Sequence, residues 1–202
     1  MAGALVNMEI DIRSIFAIAA AVITVTAFFP YIRDLLQGRT QPHIYTWLIW
    51  AITQSTAVAG IWYGGGGWGA VNLTVGTFFV FVIFLLSFKY GTRNITTFDT
   101  VMFVAALGAI FVWWGLDNPV LAVLLATAID IVGYFLTFRK SFEEPWSETV
   151  GTWVAFVVSN ILSIFALNAF NLLTLTYILT IIVANAVVVC ICLIRRRSVP
   201  KP

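Results

Sequence analysis

The chain has 202 residues, 61% of them hydrophobic and 10% charged, with a net charge of +2 and a mean hydropathy of +0.98. Soluble domains carry about 25% charged residues, so this chain has too few to cover a water-facing surface, and a surface facing lipid is expected. The small net charge, with Lys and Arg confined to connections and tail, argues against a nucleic-acid partner.

A spanning helix needs about 20 mostly apolar residues, and seven runs qualify: 14–35, 44–62, 68–90, 98–116, 119–138, 149–167 and 171–194. The first follows Glu9, Asp11 and Arg13. A cleavable signal wants net positive charge and a shorter apolar stretch, so this run is expected to stay as a helix. Pro30, near its end, removes one helical hydrogen bond, which predicts a kink or hinge and a freed carbonyl near Thr26. The lone His43 lies in the next connection, too isolated for a metal site. Trp47 and Trp50 open the second run, and Gly64 to Gly67 make a turn before the third. Asp117 and Asn118 cap the fifth run, with Pro119 at its first position. Glu143, Glu144 and Pro145 break the chain before the sixth, and Asn168 and Asn171 flank the turn into the seventh. Cys190 and Cys192, two residues apart on a helix, point to different sides and predict no disulfide. No run alternates in polarity as a barrel strand would.

The basic residues orient the chain. Arg33 and Arg39, Lys89 and Arg93, Arg139 and Lys140, and the tail's Arg195, Arg196, Arg197 and Lys201 all fall on one side of a seven-crossing path. The second, fourth and sixth connections hold no Lys or Arg, and Arg13 alone dissents. With the basic side cytoplasmic, the amino terminus lies outside and the carboxyl terminus inside, expected in the plasma (inner) membrane. Arg33 and Arg139 are expected to anchor to lipid phosphates.

An offset of 106 residues aligns Phe29 with Phe135, Arg33 with Arg139, Thr46 with Thr152 and Trp47 with Trp153. It also sets Gln54 opposite Asn160, and Phe28 opposite Tyr134. Runs one to three then match runs five to seven, with the fourth as a linker. The expected fold class is an all-α integral membrane protein, with seven transmembrane helices as two parallel three-helix repeats. The first bundle covers 14–90, the linker helix 98–116 and the second bundle 119–194.

This arrangement resembles the SWEET and PQ-loop superfamily of seven-helix membrane transporters. That repeat carries a proline near the cytoplasmic end of its first helix, a short basic loop and then a second helix. Here Phe29-Pro30-Tyr31-Ile32-Arg33 leads through Gly38-Arg39-Thr40 to the second run. In the second copy Phe135-Leu136-Thr137-Phe138-Arg139 leads through Pro145 to a helix near Thr149. Tyr31 stands where glutamine would follow the proline, and Leu136 replaces the proline, so neither copy has the PQ dipeptide. The resemblance implies a transporter that alternates access by rocking one three-helix bundle against the other. Members carry sugars, amino acids or vitamins, and some are receptors. SWEET-like transporters also place asparagines in their third and seventh helices. Asn72 and Asn185 resemble these, although the offset sets Phe79 opposite Asn185.

Asp130 is the sharpest candidate. It lies about 12 Å from Phe138 at 1.5 Å per residue, and a carboxylate at such depth costs roughly 2.5–3.5 kcal/mol. It is expected either to couple protons or bind substrate, or to bond a neighbouring helix. Thr127, Asp130 and Tyr134 share one stripe, the best sequence hint of a pore-facing surface. Gln54 and Asn160 either hold a polar solute or bind helices together, and helix packing competes with solute binding for Asn72 and Asn185. Trp47 and Trp153 are either interfacial anchors or a gate, and Pro30 a hinge or a plain kink. The expected substrate-binding set is therefore Gln54, Asn72, Asp130, Asn160 and Asn185, with Pro30, Trp47 and Trp153 for gating. No enzyme motif, cofactor or metal site is expected. The expected partners are the bilayer, a small-molecule solute and a possible second copy of the chain. A ligand-sensing or sorting receptor is the alternative.

Overall fold

The computed structural model describes residues 11–113, 115 and 118–201, which form seven α-helices and one 3₁₀ turn, with no strand among them. The helices are α1 (Ile12–Leu36), α2 (Ile44–Tyr63), α3 (Gly69–Tyr90), α4 (Thr97–Trp113), α5 (Pro119–Glu143), α6 (Val150–Phe165) and α7 (Leu172–Arg195). The 3₁₀ turn, Pro145–Ser147, lies between α5 and α6. Glu9, Leu116 and Asp117, used in reading the runs and their caps, lie outside the described residues.

Local chemistry sets most boundaries. Asp11 caps α1 through the Arg13 N–H. Asn118 caps α5 through the Leu121 N–H, with Pro119 where a missing donor costs nothing. Asn171 closes a capping box with Thr174 at the start of α7. Gly65 and Gly67 take positive φ of 77° and 54° in the turn after α2, a region that favours glycine. One expectation needs correction. Helix α5 runs on to Glu143, so Arg139 and Lys140 lie in its last turns rather than in a connection; Arg139 pairs with Glu143 one turn on, at 2.5 Å. Pro30 lies inside α1, which continues through it to Leu36. One turn before the proline, the Ala27 carbonyl accepts from Thr152 Oγ1 at 2.9 Å, and the Thr26 hydroxyl donates back to the Val22 and Ile23 carbonyls of its own helix.

Four helices, α1, α3, α5 and α7, are long and apolar enough to cross a membrane. Helix α6 has 16 residues, about 24 Å at 1.5 Å each, short of the roughly 30 Å hydrocarbon core. Helix α2 has 20 residues and no charge but is diluted by Thr46, Thr53, Gln54, Ser55 and Thr56. The outward faces are apolar, with Phe29, Phe78, Leu85, Phe88, Phe135 and Val183 all exposed. This is the surface of a helical membrane protein: apolar outside and, as the site shows, polar within.

Packing follows a crosswise scheme. Helix α3 sits between α1 and α2, and α7 sits between α5 and α6. The most extensive contacts then cross over, α1 with α6 and α2 with α5. Helix α4 lies to one side against α5 and α2. Small residues allow the close approach: a Cβ on Gly133 would meet Trp50 Nε1 at 2.8 Å, and one on Gly60 would clash with Val123 Cγ2.

Candidate functional site

A central cavity of about 50 Å³ lies where the crossing helices meet. That is room for a few waters. Its aromatic walls are Trp47 and Trp50 of α2, Trp153 and Phe156 of α6, Phe28 of α1 and Tyr134 of α5. Its polar groups are Thr24, Gln54, Asn72, Asn160 and Asn185. Among the described residues, no charged side chain lines it.

The polar groups bond across helices. Thr24 Oγ1 lies 2.7 Å from Asn72 Oδ1 and 2.9 Å from Ser159 Oγ, joining α1, α3 and α6. Asn72 Nδ2 reaches Asn160 Oδ1 at 3.5 Å, and Asn160 Nδ2 donates to the Phe156 carbonyl at 2.7 Å. Tyr134 OH donates to Asn185 Oδ1 at 2.8 Å, and Thr77 Oγ1 to Gln54 Oε1 at 3.4 Å.

Of the eight residues expected at the site, the structure brings six to this cavity: Gln54, Asn72, Asn160, Asn185, Trp47 and Trp153. Both tryptophans are buried at its wall rather than at an outer interface. Pro30 lies outside the lining, and so does Asp130. Of the stripe Thr127, Asp130 and Tyr134, only Tyr134 faces the cavity. Asp130 is fully buried one layer behind, beside Trp50, whose Nε1 points at the Asp130 carbonyl 3.4 Å away. Thr53 and Tyr177 both donate to its Oδ1, the latter at 2.9 Å, while Oδ2 has no hydrogen-bond partner among the described residues.

At both ends of the bundle the loops of the two halves pair. At the basic end, Gln41 N–H donates to the Ser147 carbonyl at 3.2 Å, and the Thr40 and Thr149 hydroxyls touch at 2.5 Å. At the other end, Asn168 N–H donates to the Gly66 carbonyl at 3.1 Å, and Asn171 Nδ2 to the Gly64 carbonyl at 2.9 Å.

Beneath the basic end lies a buried ionic cluster that the sequence reading did not anticipate. Lys140, fully buried, pairs with buried Glu148 and donates to the Gln41 carbonyl at 2.6 Å. The other Glu148 oxygen accepts from Trp153 Nε1 at 2.9 Å. Arg139 clasps Asp99 with Nε at 2.9 Å and an Nη at 2.7 Å. The expectation that Arg139 anchors to lipid is thereby corrected: a fixed carboxylate outbids a mobile headgroup once α4 brings it alongside. Arg33 stands beside Asp34 but remains exposed.

His43 is buried against this cluster, its Nε2 3.5 Å from Asp99 Oδ2. Burial lowers its pKa from 6.5 to about 4; Lys140 and Arg139 push the same way, and Asp99 opposes them. The unfolded chain therefore binds this proton below about 6.5 and the folded chain only near 4, so stability falls as pH drops through that window. A thermal melt in detergent should lose midpoint between pH 7 and 4.5, and His43→Phe should lose less. An equally steep decline in the variant would assign the sensitivity to the neighbouring carboxylates.

The site thus defines a class: an all-helical chain, with four helices fit to cross a membrane, built around a small polar and aromatic cavity. Compared with family models, curated proteins and solved structures, the chain matches none.

Proposed function

We propose that the protein is a membrane transporter of a small polar solute, of the sugar, amino acid or vitamin class. On this reading all seven helices cross the bilayer, with the basic loops in the cytoplasm. They form two parallel three-helix repeats that alternate access, as in the SWEET and PQ-loop superfamily that the sequence resembles.

The observation that carries the reading is the recurrence of contacts around the cavity at an offset of 106. Thr46 Oγ1 donates to the Gly133 carbonyl at 3.2 Å, and Thr152 Oγ1 to the Ala27 carbonyl at 2.9 Å. Trp50 packs on Tyr134 with ring centroids 4.6 Å apart, and Phe156 on Phe28 at 4.9 Å. Tyr134 meets Asn185, and Phe28 stacks on Phe79. Asp130 takes the Thr53 hydroxyl, and Thr24 meets that of Ser159. Two units that touch through matched contacts can exchange one packing for another without losing their interiors, which is what rocking requires. The cavity is well below the 300–1,000 Å³ of ordinary ligand pockets, so the solute enters only as the aromatic walls move.

Asp130 is the proton-coupling acid of this reading, its unpaired oxygen lying one layer from the cavity. The test is uptake of labelled sugars, amino acids and vitamins into proteoliposomes, with and without an inward proton gradient. Native uptake that needs the gradient and is lost in Asp130→Asn supports a proton-coupled carrier. Uptake indifferent to both makes it a passive facilitator and Asp130 structural. No uptake of any solute turns the reading to a receptor.

A further inference from the structure

The ionic cluster joins the cavity to the paired loops at the basic end. Trp153 lines the cavity with its ring, and its indole N–H holds Glu148. Glu148 holds Lys140, and Lys140 holds the Gln41 carbonyl in the opposite loop. Arg196, at the end of α7, donates to the Glu148 carbonyl at 2.7 Å and fixes that loop from behind. The matched position 106 residues before Lys140 is Asp34, which accepts from Thr149 Oγ1 at 3.1 Å. Each repeat's first helix therefore ends on a charged side chain that reaches across into the other repeat's loop. One end offers a cation and the other an anion.

We propose that Lys140 and Glu148 are the latch of a gate at the basic end, released through Trp153 when the cavity fills. The inference deepens the carrier reading and takes its purpose from it. A buried ion pair suits a latch better than apolar packing does. Closed, each charge neutralises the other in a dry site; open, each is hydrated, so neither state strands a charge. Removing one partner breaks that balance. The remaining charge is then satisfied only by water, and the gate should open to admit it. Removing both charges takes away the drive, and the loops should stay closed through their remaining hydrogen bonds.

The reporter is Thr40→Cys, buried in the seam between the two loops, in a Cys190→Ala, Cys192→Ala background. Its labelling by a water-soluble maleimide is followed in nanodiscs, which expose both faces, well below each variant's melting temperature. Lys140→Met should speed labelling about tenfold, a shift of one decade in the open population. Trp153→Phe, which strips Glu148 of its indole donor, should speed it as well. Lys140→Met combined with Glu148→Gln should return it close to the parent rate. If Lys140→Met lowers only the melting temperature and leaves labelling at the parent rate, the pair is structural and the latch is overturned. Should Lys140→Met fold too poorly to assay, Trp153→Phe decides alone, and unchanged labelling there overturns the latch. The labelling needs no solute. A latch that responds as expected while the uptake panel stays empty would sink the carrier reading and leave the gate standing.

Discussion

Lys140→Met is expected to be among the most damaging single substitutions in this chain, lowering stability by about 3–5 kcal/mol. Lys140 and Glu148 are both buried, and the pair lies where the 3₁₀ turn folds back on α5. Methionine fills most of the lysine stem's volume, so little packing is lost. What is lost is the only cation facing the Glu148 carboxylate in an ion pair among the described residues. A carboxylate out of water with one indole donor is far from satisfied. The companion variant isolates the cause: adding Glu148→Gln removes the stranded charge, and its amide oxygen can still accept from Trp153. The double variant should recover most of the loss. Unfolding in mixed micelles by a graded denaturing detergent measures all three. A double variant as weak as the single one would mean that packing around Lys140, rather than charge, holds this corner.

Gly133→Leu is expected to damage fold and site together. Here α5 crosses α2 so closely that a Cβ would sit 2.8 Å from Trp50 Nε1 and 3.2 Å from its Cδ1. The Gly133 carbonyl also accepts from Thr46. A leucine must push the Trp50 ring away, and the free space beside that ring is the cavity itself, about 50 Å³. Overpacking of this kind typically costs about 1–3 kcal/mol. On the carrier reading, the displaced indole would also occupy the place of a solute. Uptake should therefore vanish even where the variant still folds, while Gly133→Ala should retain part of both. A Gly133→Leu protein that melts like the native one and transports normally would show that α2 and α5 do not meet this tightly.

Much of the site was legible because membrane interiors leave few reasons for an amide. Gln54, Asn72, Asn160 and Asn185 stood out in apolar runs, and all four line the cavity. The offset of 106 was legible from Thr46, Trp47, Arg33 and their mates, and the contacts around the cavity repeat in the same register. Asp130 was legible as an outlier but not as a group behind the lining. Its helix is apolar on most sides, so its sequence cannot say which neighbour it faces. Thr53 and Ser159, which meet Asp130 and Thr24, passed unnoticed because hydroxyls bonding within their own helix are common there.

Composition, run length and polarity by themselves determined that the chain is helical, apolar outside and polar at a few interior points. Those properties follow from solvation, which each residue carries with it. The tertiary structure decided which polar groups meet. His43, Asp99, Arg139, Lys140 and Glu148 look in sequence like a scatter of charges near the ends of the runs. Only the crosswise packing of α1 on α6 and α2 on α5, with α4 alongside, buries them into one cluster. A charge reads as solvated until a fold removes the water, and which charges then pair depends on distances that linear order does not encode.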